Sequence, residues 1–186
     1  MSFTETPLGG AFVIEPERFD DERGFLARSY SAEEFAARGI GVRFVESNIT
    51  FNARRRTVRG MHFQRAPRSQ AKLVRCTNGT VYDVILDLRP GSETFGRWFG
   101  VELTAENRRM LFVPEGFAHG YQTLADRAEV FYQVSDFYAP EHSGGVRWDD
   151  PAFRIEWPAT EGVIINERDR AYADFGTHPA PGGGAV

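Results

Sequence analysis

At 186 residues, with 41% apolar and 26% charged residues, the chain has the length of one domain and the composition of a globular protein with a real core. A formal net charge of −4 argues against a nucleic-acid partner, and no window approaches the roughly 20 apolar residues of a membrane-spanning helix. A single cysteine, Cys76, rules out an intrachain disulfide, and residues 1–6 carry no basic region followed by an apolar run, so a cytoplasmic protein without a signal peptide is expected.

Sixteen Phe residues against three Met suit sheets more than helices. Ala11 to Ile14 is a short apolar run bounded by turn residues and predicts a strand. Asp20 to Gly24 is a charged turn into a second strand, Phe25 to Tyr30. Ser31 and Glu34 form a capping box, and the short helix that follows is expected to end at Gly39. Val42 to Thr50 resumes β character, and Asn52 to Arg56 reads as a basic, solvated loop.

Asn78-Gly79 between two apolar runs is the strongest hairpin signal in the chain, predicting that Leu73–Thr77 pairs with Thr80–Leu88. Within the second run Tyr82, Val84, Leu86 and Leu88 share one face. Val81, Asp83, Ile85 and Asp87 share the other, where two carboxylates among apolar groups suit a half-polar cavity or a paired-charge site. Trp98–Leu103, Met110–Val113, Phe117–Leu124 and Ala128–Phe137 are further short strands with turn residues at most of the breaks. The pattern predicts an all-β sandwich, jelly roll or barrel over residues 1–175, followed by a flexible tail over 176–186.

Two stretches concentrate the chemistry. Arg59 to Gln64 together with Gln70 to Arg75 places an imidazole, an ammonium and two guanidiniums on adjacent strand-like segments, and Pro114 to Tyr121 adds a second imidazole. His142 falls in a loop and His178 in the tail, which leaves His62 and His119. Each has a second reading as a hydrogen-bonded core histidine. His62-Phe63-Gln64 lacks the second imidazole of a His-x-His metal pair, and no carboxylate stands at ligand spacing, so no metal is expected. Neither a Gly-x-Gly-x-x-Gly nor a P-loop pattern is present, nor a serine-nucleophile elbow.

Acid–base chemistry without a cofactor remains. A His base needs a carboxylate to orient it, and Asp169 is a candidate whose other reading is a capping residue in a short helix begun by Asn166. Lys72 suits electrostatic stabilisation of an enolate oxygen, and Tyr132 suits return of a proton from the opposite face or a half-buried strand position.

The segments Asp21–Phe25, Arg59–Gln64, Gln70–Arg75, Thr94–Trp98, Pro114–Gly120, Trp148–Pro151 and Ile155–Pro158 resemble the dTDP-4-dehydrorhamnose 3,5-epimerase family, in order and with nearly constant spacing. The resemblance implies a cupin-type jelly roll, usually a homodimer in which an N-terminal segment helps complete the neighbour's site. It implies no cofactor and a 4-keto-6-deoxy nucleotide sugar as substrate. By resemblance His62 is the base, Asp169 its partner, Lys72 the enolate stabiliser and Tyr132 the acid. Arg23, Arg59 and His119 would hold the diphosphate or sugar, while Asn48, Gln70 and Tyr138 would contact the ligand, beside Phe25 of the Asp21–Phe25 segment.

The chain departs from the family pattern at Arg28 (usually Glu), Glu46 (commonly Gln), Ser143 (Glu) and Gln133 (Lys). An Arg28–Glu46 ion pair is one arrangement that these departures suggest, with altered recognition of the nucleotide. The competing readings are a C3-only epimerase, a 3,4-ketoisomerase and a catalytically silent sugar-nucleotide-binding cupin.

Overall fold

The structure, a computed structural model, describes residues 1–176; His178 and the rest of the expected tail beyond Gly176 lie outside the described residues. The strands are β1 (Ser2–Glu5), β2 (Phe12–Glu15), β3 (Arg18–Asp21), β4 (Gly24–Ala27), β5 (Glu46–Asn52), β6 (Val58–Gln64) and β7 (Lys72–Asn78). They continue as β8 (Thr80–Asp87), β9 (Trp98–Thr104), β10 (Met110–Val113), β11 (Phe117–Thr123), β12 (Ala128–Val134) and β13 (Ser143–Gly145). Two short helices, α1 (Ala32–Ala36) and α2 (Glu167–Arg170), complete the elements with one 3-10 turn at Pro140–His142.

Two sheets form the body: a six-stranded sheet in the order β1-β2-β10-β7-β12-β5, and a five-stranded sheet in the order β13-β6-β11-β8-β9. The β3–β4 hairpin stands apart as a two-stranded ribbon. Among the described residues all pairings between the named strands are antiparallel, in keeping with the expected cupin-type jelly roll.

Alternation along the strands decides which side chains fill the space between the sheets. Val74, Cys76, Leu111, Val113 and Val130 from one sheet meet Val81, Ile85, Leu103, Phe117 and Tyr121 from the other. The opposite face of β8 is buried as well: Val84 and Leu86 pack under Trp148, Phe153 and Trp157 from the chain that follows β13. A third cluster seats α1 on the six-stranded sheet, with Phe35 against Ile14, Met110 and Phe112. Cys76 is a small buried strand residue, and burial pushes its thiol up to about 11.

The expected hairpin at Asn78-Gly79 does not form. β7 bonds to β10 and β12, whereas β8 bonds to β11 and β9, so the two residues turn a corner from one sheet to the other. Gly79 takes a positive φ of 73°, and the Asn78 side chain donates to the Arg127 carbonyl at 2.6 Å. The turn signal was sound, but tertiary burial overrode local pairing: both arms carry apolar residues on both faces, and a two-stranded hairpin covers only one.

The capping box is half formed. Ser31 Oγ accepts from the Glu34 N–H at 3.4 Å, but the Glu34 carboxylate turns to the Met1 ammonium at 2.9 Å and to Arg28 at 3.2 Å. The chain resumes β structure at Glu46 rather than Val42, because Val42 and Phe44 are spent packing around Phe35.

Candidate active site

Arg59 and His62 are three residues apart, a spacing that places side chains on opposite faces of a regular strand. A bulge removes the conflict. His62 stands opposite His119 and Arg59 opposite Tyr121, so three steps on β6 match two on β11. Both side chains thereby face the space between the sheets. The strands approach so closely here that a Cβ on Gly60 would lie 2.6 Å from Gly120 Cα, and one on Gly120 would lie 2.7 Å from Met61 Sδ. Gly60 also has φ +125°, open to glycine almost alone.

His62 Nε2 lies 2.7 Å from Asp169 Oδ1, and the other carboxylate oxygen accepts the Gly60 N–H at 3.1 Å. Since the carboxylate can only accept, Nε2 carries the proton, and in the neutral imidazole Nδ1 is then the nitrogen with the lone pair. Asp169 also has the structural setting expected from sequence, its backbone N–H donating to the Asn166 side chain at 2.6 Å in the first turn of α2. Burial opposes ionisation of Asp169, but the His62 contact, the Gly60 N–H and the Arg168 charge outweigh it and hold the carboxyl below its ordinary value.

Directly across from His62, His119 is buried, with Nε2 3.0 Å from both oxygens of Asp83. Burial pushes the His119 pKa down against the pull of Asp83. Lys72, 9% exposed at the start of β7, donates to the His62 carbonyl at 3.5 Å. Burial lowers its ammonium from 10.5 to about 8, with the Asp83 charge resisting. Tyr132 lies on the opposing sheet, paired with Asn48 on β5 and with Val74 on β7. This register makes it a diagonal neighbour of Lys72, which pairs with Val134. Burial raises the Tyr132 phenol, Arg59 lowers it and Glu46 raises it.

Three expected ligand residues do not join this cluster. Arg23 bonds to Asp21 at the tip of its own hairpin, the Phe25 ring meets the guanidiniums of Arg18 and Arg108, and Arg28 pairs with Glu34. The Arg28–Glu46 pair is therefore not formed: Glu34, one helical turn beyond Ser31, is the nearer carboxylate. Glu46 and Asn48 are half-buried on the face of β5 that carries Thr50, and Gln70 donates to the Asp136 carbonyl at 2.7 Å. Ser143 Oγ accepts from Arg168 at 3.0 Å on the strand that pairs with β6, and the exposed Tyr138 bonds to Arg168 as well.

Sequence reasoning did not single out Arg168 or Tyr172, whose ring centroid is 6.5 Å from that of His62. Their place beside Asp169 in the chain was the available signal. Asp83 was visible as one of two carboxylates on a single face of its strand, though its pairing with His119 was not. Asn52, assigned to a solvated loop, is instead the buried last residue of β5.

Residues 5–176 match the family model for dTDP-4-dehydrorhamnose 3,5-epimerase. A protein of that name from Methanothermobacter thermautotrophicus is 44% identical over 179 residues, covering 95% of this chain and 96% of the relative. The chain belongs to the dTDP-4-dehydrorhamnose 3,5-epimerase family.

Structures of family members agree with this epimerase over nearly their whole length. The Bacillus anthracis dTDP-4-dehydrorhamnose 3,5-epimerase with TDP and PPi bound has TM-score 0.90 at 40% identity, covering 93% of this chain and 98% of that one. The Legionella pneumophila dTDP-6-deoxy-D-glucose-3,5-epimerase, in complex with dTDP-4-keto-L-rhamnose, has TM-score 0.87 at 38% identity and covers 92% and 90%.

Proposed function

We propose that the chain epimerises C3 and C5 of dTDP-4-dehydro-6-deoxyglucose to give dTDP-4-dehydrorhamnose, without a cofactor. The observation that carries this reading is the His62–Asp169 pair at 2.7 Å, with a buried Lys72 donating to the His62 backbone and Tyr132 on the opposing sheet. Both reacting carbons flank the C4 ketone, so loss of either proton gives an enolate. His62 Nδ1 takes the proton, and the ionised Asp169 stabilises the imidazolium that forms.

The Lys72 ammonium meets the negative charge that develops on the C4 oxygen, in a setting where few waters compete. With its pKa at about 8 it is still charged at neutral pH. Tyr132, kept protonated by burial, returns a proton to the other face. Arg59 and His119 serve the diphosphate and sugar, with Asn48, Gln70, Tyr138 and Ser143 lining the ligand and Glu46 at the nucleotide end.

The same reading makes the enzyme a homodimer. Its support is the β3–β4 ribbon, which belongs to neither large sheet, carries Phe19 and Leu26 at 62% and 74% exposure and holds Arg23 and Phe25 away from the His62 cluster of its own chain. Docked on a second copy, the ribbon would bury its apolar residues and deliver Arg23, Phe25 and Arg28 to that copy's pocket. A cytoplasmic location, where Cys76 stays a thiol, completes the reading.

Proton NMR of the nucleotide sugar in D2O tests it. Deuterium enters at both C3 and C5 with the wild type; His62→Asn loses exchange by about 10³-fold while still binding thymidine diphosphate. Turnover that survives His62→Asn removes His62 as the base.

A further inference from the structure

Arg59 is held by neutral oxygens alone among the described residues. Its Nε donates to Asn52 Oδ1 at 2.8 Å and its Nη2 to the Phe51 carbonyl at 3.4 Å. These two donors form one side of the guanidinium fork. The other side, Nη1 with the second N–H of Nη2, is left for a bidentate acceptor. A carboxylate in place of Asn52 would have cancelled most of the charge; an amide aims the group and leaves the charge whole.

Asn52 can do this because its own orientation is fixed. It is 2% exposed, and its Nδ2 donates to the Ala128 carbonyl at 3.2 Å, an acceptor that only the nitrogen can meet; Tyr121 Oη lies 3.3 Å from Nδ2 and 3.4 Å from Oδ1 and steadies both ends of the amide. With the nitrogen so engaged, the oxygen must point to Arg59. Tyr121 Oη is in turn 2.7 Å from Thr50 Oγ1, and the β5–β12 register places Asn52 opposite Ala128. The chain Thr50–Tyr121–Asn52–Arg59 thus runs from the buried wall to a guanidinium at the pocket.

We propose that Asn52 is a positioning residue for the epimerase, setting Arg59 so that its free edge and undiminished charge meet the anionic diphosphate of the nucleotide sugar. The proposal rests on the functional reading above, which gives Arg59 that ligand.

The experiment is calorimetric titration of the whole protein with thymidine diphosphate, combined with steady-state kinetics, for Asn52→Asp, Asn52→Ala and Arg59→Ala. Asn52→Asp keeps the shape but sets a carboxylate against Arg59, and weakens diphosphate binding by about tenfold or more. Asn52→Ala frees the guanidinium and weakens binding by about three- to tenfold. In both, the rise in KM exceeds the fall in kcat, a split that loosened packing would not produce. Thermal midpoints identify any variant that is not folded, and the near-isosteric Asn52→Asp carries the test if Asn52→Ala is lost. Unchanged affinity in the Asn52 variants, or a fall in kcat without a rise in KM, overturns the proposal while leaving the reaction assignment intact, provided Arg59→Ala binds weakly. If Arg59→Ala itself binds as the wild type does, the role given to Arg59 falls and takes the proposal with it.

Discussion

The role proposed for Lys72 sets function against stability. Its ammonium is 9% exposed, and burial lowers its pKa from 10.5 to about 8 even with Asp83 pulling the other way. A shift of that size means that the charged form costs the fold about 3 kcal/mol at neutral pH, at about 1.4 kcal/mol per pH unit. Lys72→Met keeps the length of the side chain and removes the charge, so the variant should be more stable than the wild type by about 2–3 kcal/mol at pH 7. For a chain of this length that is a rise in melting temperature of roughly 4–12 °C.

The sign and pH window follow from linkage. The folded pKa is depressed, so between about 8 and 10.5 the unfolded chain binds more protons than the native one, and wild-type stability rises with pH across that interval. The advantage of Lys72→Met is therefore full below pH 8 and shrinks toward zero near pH 10.5. Proton exchange at C3 and C5 should fall by about 10²-fold or more in the variant, the scale of one lost electrostatic stabiliser. Urea titrations at pH 7 and pH 10 together with deuterium exchange by NMR measure both. A variant less stable than the wild type at pH 7, or a stability difference that does not change between these pH values, refutes the argument that Lys72 is held charged at the fold's expense.

Asp169→Asn preserves an acceptor for the Gly60 N–H but can donate to His62 Nε2, which moves the imidazole proton to Nδ1 and blocks the base proposed there. Exchange should fall by about 10²–10⁴-fold with thymidine diphosphate affinity kept, and retained exchange would show that the carboxylate does not set the tautomer. Gly60→Ala drives a methyl group to within 2.6 Å of Gly120 Cα at a φ of +125°, and should cost about 2–4 kcal/mol, read as a lowered melting temperature. An undiminished melting temperature would mean that β6 and β11 can separate without loss.

Much of the candidate site could be read along the chain because its chemistry is local. His62, Lys72, His119 and Asp169 sit in short motifs whose residue types limit what they can do, and the inward carboxylates of β8 follow from a period of two. Short apolar runs and the turn residues between them likewise determined an all-β protein, because they dictate where a strand can run and where it must stop.

What only the tertiary structure decided is which strands pair and which way side chains at odd spacings point. Asn78-Gly79 supplied a turn, yet burial on both faces of β7 and β8 sent the two arms into different sheets. Arg59 and His62 share a pocket because a bulge between β6 and β11 resets the alternation, and a bulge is a property of two strands together. Asn52, the last residue of β5 before a basic loop, gains the contacts behind its proposed role by lying opposite Ala128 and beside Tyr121 and Arg59, residues at least seven positions away in the chain. Arg28 finds Glu34 rather than Glu46 because α1 brings one carboxylate near and leaves the other on β5. Residue type and period are written in the chain one position at a time, whereas pairing and register depend on the burial of distant segments against each other.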